Sequence, residues 1–361
     1  MINAVIHTLQ LWSVVVKCML MFFAIIRHKQ KEALCLTDRT SFNMKGKRKM
    51  GLIVKDLVKR YGEKTVVDHL SFTMEKPGVY ALLGTNGAGK TTSIRMILDM
   101  LVKDGGEVSF NGQPLSIDNV SIGYLAEERG LYPKITLMDQ MHYFASLKKV
   151  PRKDVDARIK YWAERLKLEE YFYPAPIGKK PAKPFRAEQL SKGNQQKVQL
   201  MATLIADPEV IILDEPLSGL DPVNMNLFRD IIHEEAAKNK YIIMSSHQMA
   251  TIEEFCSDLT ILNRGKVVLQ GNLNEIKKGY GRVNLMVKTD EDCMPYIEKM
   301  GLRVLEVTPD AISIKLDNES QAGELLNQLV AAKIPVVRFE LTEPSLHEIF
   351  VEKVGEVHEE E

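Results

Sequence analysis

A chain of 361 residues that is 45% hydrophobic and 27% charged has room for two or three domains and a sizeable core, which excludes global disorder. Its 48 basic and 48 acidic side chains argue against a protein that coats nucleic acid along its length. The four cysteines, Cys18, Cys35, Cys256 and Cys293, form no C-x-x-C pair, so they give no zinc or dithiol signal and fit a reducing compartment.

Residues 1–49 stand apart. They carry nine basic and two acidic side chains, a net of +7 against −7 for the rest. Leu9 to Ile26 is nearly all apolar, broken by Gln10, Ser13 and Lys17, and lies at the short end of the about 17–25 residues that cross a bilayer. One reading is a membrane anchor, favoured by the basic residues after the run and opposed by Lys17 at mid-span, where a charge costs about 3 kcal/mol. The other is a misassigned start. Lys45-Gly46-Lys47-Arg48-Lys49 can be encoded by purines alone, like a ribosome-binding site, and Met50 follows directly. A signal peptide fits less well, because no Lys or Arg precedes the run and no A-x-A site follows it.

From Met50 onward β-rich runs alternate with helical stretches, the pattern of an α/β domain. A first strand starts near Met50 and leads to Tyr61. Gly78 to Leu83 reads as a buried strand, followed by Gly84-Thr85-Asn86-Gly87-Ala88-Gly89-Lys90-Thr91 and by a helical pattern over Thr92 to Leu101. The loop fits G-x-x-x-x-G-K-[ST], whose backbone N–H groups converge on phosphate oxygens at a helix N-terminus. Lys90 is then expected on the β- and γ-phosphates and the Thr91 hydroxyl on Mg²⁺. A chance match in a chain of this length is expected about once in a hundred.

Leu137 to Gln189 is mainly helical in pattern, but Pro174, Pro176, Pro181 and Pro184 mark a loop within it. Glu209 to Leu213 reads as a second buried strand, ending at Asp214-Glu215-Pro216. One carboxylate suits the Mg²⁺ shell, and its neighbour suits orienting or deprotonating the attacking water. A third strand, Tyr241 to Ser245, ends two residues before His247. All three strands have polar C-terminal ends, where open α/β sheets hold ligands.

After Gly279-Tyr280-Gly281 the order becomes β-α-β-β-α-β, with strands over 282–288, 303–308, 311–316 and 335–341 and helices over 292–300 and 319–332. That is the split pattern of ferredoxin-like domains, here closed by a helix over 345–353. The stretch has no glycine-rich loop and no His or Cys cluster, so a role in dimer contacts or regulation is expected and none in chemistry.

Leu190-Ser191-Lys192-Gly193-Asn194-Gln195-Gln196 before the Asp-Glu pair, and Ser218-Gly219-Leu220-Asp221-Pro222 after it, complete a set. From Met50 to about Gly271 the sequence resembles the nucleotide-binding subunits of ATP-binding cassette (ABC) transporters. The resemblance implies a P-loop NTPase cassette, a RecA-like core plus a helical subdomain, over residues 50–280, and an accessory domain over 281–361. It implies ATP and Mg²⁺ as ligands, with Tyr61 stacking on adenine and the loop Gly84, Thr85, Asn86, Gly87, Ala88, Gly89, Lys90, Thr91 and Thr92 on the phosphates. Thr91, Asp214 and Glu127 face the metal, Glu215, His247 and Lys90 serve hydrolysis, and Asp221 belongs to the D-loop. Ser191 and Gly193 reach the γ-phosphate held by a second subunit, so the working form is a homodimer or a paired ATPase. The implied partner is a separate membrane permease, with no nucleic acid, at the cytoplasmic face of the membrane.

Two departures stand out. Lys192 and Asn194 replace a Gly and a Gln of the family's usual signature, and Glu127 stands where most members carry Gln. With 127–132 (Glu-Glu-Arg-Gly-Leu-Tyr) and the closing 343–353 segment, these features are similar to ATPases of bacterial export systems that include sodium-efflux pumps. A soluble cassette ATPase of translation or repair fits less well: translation members usually pair two cassettes, and repair members carry coiled-coil arms.

Overall fold

The structure, a computed structural model, describes residues 51–128, 130–176 and 183–359. The two readings of residues 1–49 therefore lie outside the described residues. Three sheets are present. The first is antiparallel in the order β2-β1-β4-β5, built from β1 (Leu52–Tyr61), β2 (Lys64–Met74), β4 (Gly105–Phe110) and β5 (Gln113–Pro114). The second follows the order β10-β9-β3-β8-β7-β6, from β3 (Gly78–Gly84), β6 (Ile122–Leu125), β7 (Val210–Asp214), β8 (Tyr241–Ser246), β9 (Asp258–Asn263) and β10 (Lys266–Asn272). It is parallel from β9 to β6, and β10 closes one edge antiparallel.

Every residue of β7 and β8 is buried, as expected for parallel strands covered on both faces. Alternation along the strands divides them between two cores. Val79, Ala81, Leu83, Ile211, Leu213, Ile242 and Met244 face one; Tyr80, Leu82, Val210, Ile212, Tyr241 and Ile243 face the other. The latter is closed by the antiparallel sheet, through Leu52, Val54, Leu70 and Phe72, and by α1 (Lys90–Ile97), through Ile94 and Met96. The former is closed by α2 (Leu137–Leu147), α3 (Arg152–Arg165), α4 (Glu169–Phe172), α5 (Lys192–Leu204) and α6 (Pro222–Ala237). α1 starts two residues earlier than the sequence pattern predicts and ends four residues earlier, because Asp99 has φ +55 and turns the chain out of the helix.

The third sheet has the order β12-β13-β11-β14, all antiparallel, from β11 (Asn284–Thr289), β12 (Arg303–Val307), β13 (Ile312–Lys315) and β14 (Val336–Thr342). With α9 (Met294–Lys299) and α10 (Ser320–Ala331) it encloses a separate core of Leu285, Val287, Ile297, Ile314, Leu325 and Leu329. This is the ferredoxin-like arrangement. It follows α7 (Met249–Ile252) and α8 (Leu273–Tyr280), and α8 ends at Gly281, whose φ of +72 suits glycine. The last helix, α11 (Leu346–Glu359), behaves differently from the sheet before it. Leu346 and Phe350 pack into the large core beside Met249, Ile252 and Phe255 rather than into the ferredoxin-like core.

Candidate active site

Parallel register gathers the polar strand ends. Asp214 pairs with Ser245 across β7 and β8, and Leu83 pairs with Ser246 across β3 and β8, so the exits of three strands lie side by side. The loop between β3 and α1 folds over them. Gly89 has φ +106, and a Cβ there would lie 2.6 Å from the Val66 carbonyl oxygen; only glycine lets the chain pass this close and enter the helix.

Lys90, the first residue of α1, is almost wholly buried. Its Nζ donates to the carbonyls of Gly84 (2.9 Å) and Thr85 (3.2 Å) and lies 3.3 Å from Glu215 Oε1. An ammonium without water holds its charge only with such partners. Asp214 accepts from Ser245 Oγ (2.6 Å) and from Thr91 Oγ1 (3.4 Å) on Oδ1, while its buried Oδ2 has no hydrogen-bond partner. Burial raises the Asp214 carboxyl above its usual value against the opposing pull of the Ser245 bond. Ser245 also accepts from the backbone N–H of Glu215 (3.0 Å). Glu215 itself has φ +51, an uncommon conformation for a non-glycine residue. That turn sends its carboxylate back toward Lys90, with Oε2 2.9 Å from His247 Nδ1.

A cavity of about 300 Å³ beside this cluster is lined by Val66, Asn86, Gly87, Gly89, Lys90, Thr91, Thr92, Glu127 and Glu215. A second, of similar volume, is lined by Ala126, Glu127, Lys192, Gln196, Gln199, Glu215, Ser218 and Gly219. Glu127 and Glu215 border both. Two of the three residues that depart from the family pattern, Glu127 and Lys192, thus share one cavity, and Gln196 Nε2 donates to the Pro216 carbonyl (2.7 Å) to tie α5 to the exit of β7.

Other expected residues lie away from the phosphate cavity. Tyr61 ends β1, half-exposed, with Lys59 Nζ 5.4 Å from its ring centroid. Ser191 caps α5 by accepting from Asn194 N–H (3.2 Å), and Gly193 lies in the first turn, where a Cβ would approach Asn224 Nδ2 to 3.2 Å. Asp221 caps α6, accepting from Asn224 N–H (3.0 Å), and these hydrogen bonds hold its carboxyl below the usual range. Two contributors went unread in the sequence. Ser245 bridges the Asp214 carboxylate and the Glu215 backbone N–H, but a lone Ser in an apolar strand carries no signal. Val66 lines the phosphate cavity from β2, a strand outside every motif.

A third cavity, a groove of about 160 Å³, lies between β6 and the helical layer, lined by Tyr124, Leu125, Leu131, Phe144, Lys148 and Thr203. Burial pushes the Lys148 ammonium down to about 8, and its Nζ donates to the carbonyls of Ala202 (3.3 Å) and Thr203 (3.0 Å) at the end of α5. Among the described residues no helix is long and apolar enough to cross a membrane.

Comparison with known proteins agrees with this geometry. The family model described as ABC transporter matches residues 67–218, and that of the ATP-binding protein DrrA1-3-like C-terminal domain matches residues 271–354. The chain is 39% identical over 310 residues, covering 85% of itself and all of the relative, to the uncharacterized ABC transporter ATP-binding protein YhaQ of Bacillus subtilis. It is 28% identical to the bacitracin transport ATP-binding protein BcrA of Bacillus licheniformis, across 85% of itself and 98% of that protein. A solved ATP-binding subunit of an ABC transporter superposes with a TM-score of 0.56 at 28% identity, over 64% of this chain and 94% of that one. With a buried lysine and carboxylate pair at the strand ends and a relative matched over its whole length, the chain belongs to the ATP-binding subunits of ABC transporters, the ATPases that drive a separate membrane permease.

Proposed function

We propose that this chain works as one of two ATPase copies that close around two MgATP and power export by a permease from the cytoplasmic face of the membrane. The observation that carries this reading is the buried cluster of Lys90, Asp214 and Glu215, of which Lys90 and Glu215 line the phosphate cavity and Asp214 keeps one buried oxygen without a hydrogen-bond partner. Thr91, bonded to Asp214, presents with it the hard oxygen donors that fit Mg²⁺, and Thr91 and Glu127 line one cavity. When bound, the metal neutralises charge on the β- and γ-phosphate oxygens.

Phosphoryl transfer leaves the protein mainly positioning and electrostatic work. Lys90 holds its charge where the phosphates enter, and the N–H groups of the glycine loop at the α1 N-terminus face them. Glu215 accepts the proton of the attacking water, and His247 keeps its carboxylate oriented through the 2.9 Å contact. Tyr61 offers its exposed ring to adenine. Ser191 and Gly193 sit at the N-terminus of a 13-residue helix outside the chain's own phosphate cavity, which suits a γ-phosphate held by the other copy, with Asp221 at that contact. The apolar groove with Leu131 and Phe144 suits the permease. Export, of sodium or a small molecule, is supported by a relative named as a Nod factor export ATP-binding protein, 32% identical over 229 residues.

The test is Glu215→Gln. It should retain ATP binding, lower turnover at least about 100-fold, close to 3 kcal/mol of barrier, and accumulate an ATP-bound dimer on size-exclusion chromatography. Turnover within about threefold of the parent removes Glu215 from this role.

A further inference from the structure

The four-residue helix α7 begins one residue after Gln248, which follows His247 directly. A single turn of helix has no stability of its own, so its place is set by what it packs against. Met249, Ile252 and Phe255 share a core with Leu346 and Phe350 of α11. The residue that closes α7, Glu253, is mostly buried and makes two contacts to distant elements. Its Oε2 accepts from Lys277 Nζ of α8 (2.5 Å), and its Oε1 accepts from the backbone N–H of Leu346, the first residue of α11. Arg229 of α6 holds the next turn by bonding Glu254 and covering the Phe255 ring.

The N-terminus of α11 is tied in turn to the ferredoxin-like sheet. Glu348 accepts from the Ser345 N–H (2.7 Å) and hydroxyl (2.7 Å), and from Asn284 Nδ2 of β11 (2.9 and 3.0 Å). A path of bonded groups therefore runs from β11 through Glu348, α11 and Glu253 to α7, and along the chain to His247, which touches Glu215.

We infer that Glu253 is a positioning residue for His247: it fastens the 247–253 segment to the accessory domain's terminal helix, so that hydrolysis depends on the docked state of that domain. The inference rests on the reading of His247 and Glu215 given above. Removing the fastening leaves Lys90, the glycine loop and Tyr61 in place, so nucleotide affinity stays while the geometry of the His247–Glu215 pair loosens.

The experiment compares Glu253→Gln, Lys277→Met, His247→Ala and the double variant Glu253→Gln/His247→Ala in the full chain. The Gln keeps an oxygen for Leu346 N–H and turns an amide N–H toward the Lys277 ammonium; the Met breaks the same pair from the other side should the first variant fail to fold. Each of the two is expected to lower kcat by about fivefold or more with KM for ATP within about twofold, and Glu253→Gln is expected to have no further effect once His247 is Ala. Parental kcat in both fastening variants, or an equal loss with and without His247, overturns the link. Parental kcat in His247→Ala instead refutes the underlying role of His247, and the link falls with it.

Discussion

The cassette and the ferredoxin-like unit are both α/β structures with dry apolar cores, yet they differ in where charge is buried. Among the described residues every buried polar or charged side chain lies between Lys59 and Thr260, including Lys90, Asp214 and Glu215 at the strand exits and the Glu235–Lys240 pair at the entry to β8; the core of Leu285, Ile314 and Leu325 has none. A parallel sheet covered on both faces leaves its strand exits as a shielded place where several segments meet, and neighbouring charges there can satisfy one another. An antiparallel sheet with helices on one face has no such convergence. The buried charge of Lys90, Asp214 and Glu215 therefore belongs to the unit that carries the phosphate cavity, and the ferredoxin-like core has no counterpart to it among the described residues.

The largest expected effect tests the seam between the two. Deleting residues 345–361 removes Leu346 and Phe350 from the cassette core, a loss of about 5 kcal/mol or more from typical core values, against a total of about 5–15 kcal/mol for such proteins. Urea unfolding should show the drop in the cassette itself. An unchanged midpoint would mean that α11 belongs with the ferredoxin-like unit alone.

Next is Ser245→Ala, which deprives Asp214 Oδ1 and the Glu215 N–H of a buried partner. It should cost about 1–3 kcal/mol of stability and lower turnover as well. A stability loss with unchanged turnover would separate burial of charge from chemistry and break the comparison.

Lys148 supplies a pH test. Its ammonium sits near 8 in the folded protein against an ordinary 10.5, so between those values the unfolded chain holds a proton that the native chain has released, and stability rises with pH through that window. Lys148→Met should flatten this rise by about 1–3 kcal/mol. Parallel stability curves for the two proteins from pH 7 to 10 would show that burial there carries no electrostatic cost.

The smallest effect concerns Glu127, which borders both cavities. Glu127→Gln should shift the Mg²⁺ concentration for half-maximal hydrolysis by up to about tenfold, about 1.4 kcal/mol, with metal-free nucleotide affinity unchanged. Identical Mg²⁺ titrations would place its carboxylate away from the metal.

The glycine loop, the Asp-Glu pair and the ferredoxin-like order were legible because each is written in consecutive residues: Gly84 to Thr91, Asp214-Glu215, and the alternation from 282 to 341. Periodicity located β3, β7 and β8 to within a residue or two. The antiparallel sheet of β2, β4 and β5 was not read. Lys64–Met74 mixes Lys, Asp and His with apolar residues, and its burial depends on pairing with β1 across a long-range register.

By itself the sequence determined which chemical groups are available and in what order they occur, because the chemistry of a side chain and the backbone freedom of glycine are local properties. Only the tertiary structure decided that Ser245 joins Asp214 to Glu215, that Glu127 and Lys192 face one cavity, and that Leu346 of the last helix reaches Glu253, which closes the short helix after His247. These contacts join residues up to 93 positions apart, and strand register and helix docking, rather than any local signal, bring them together.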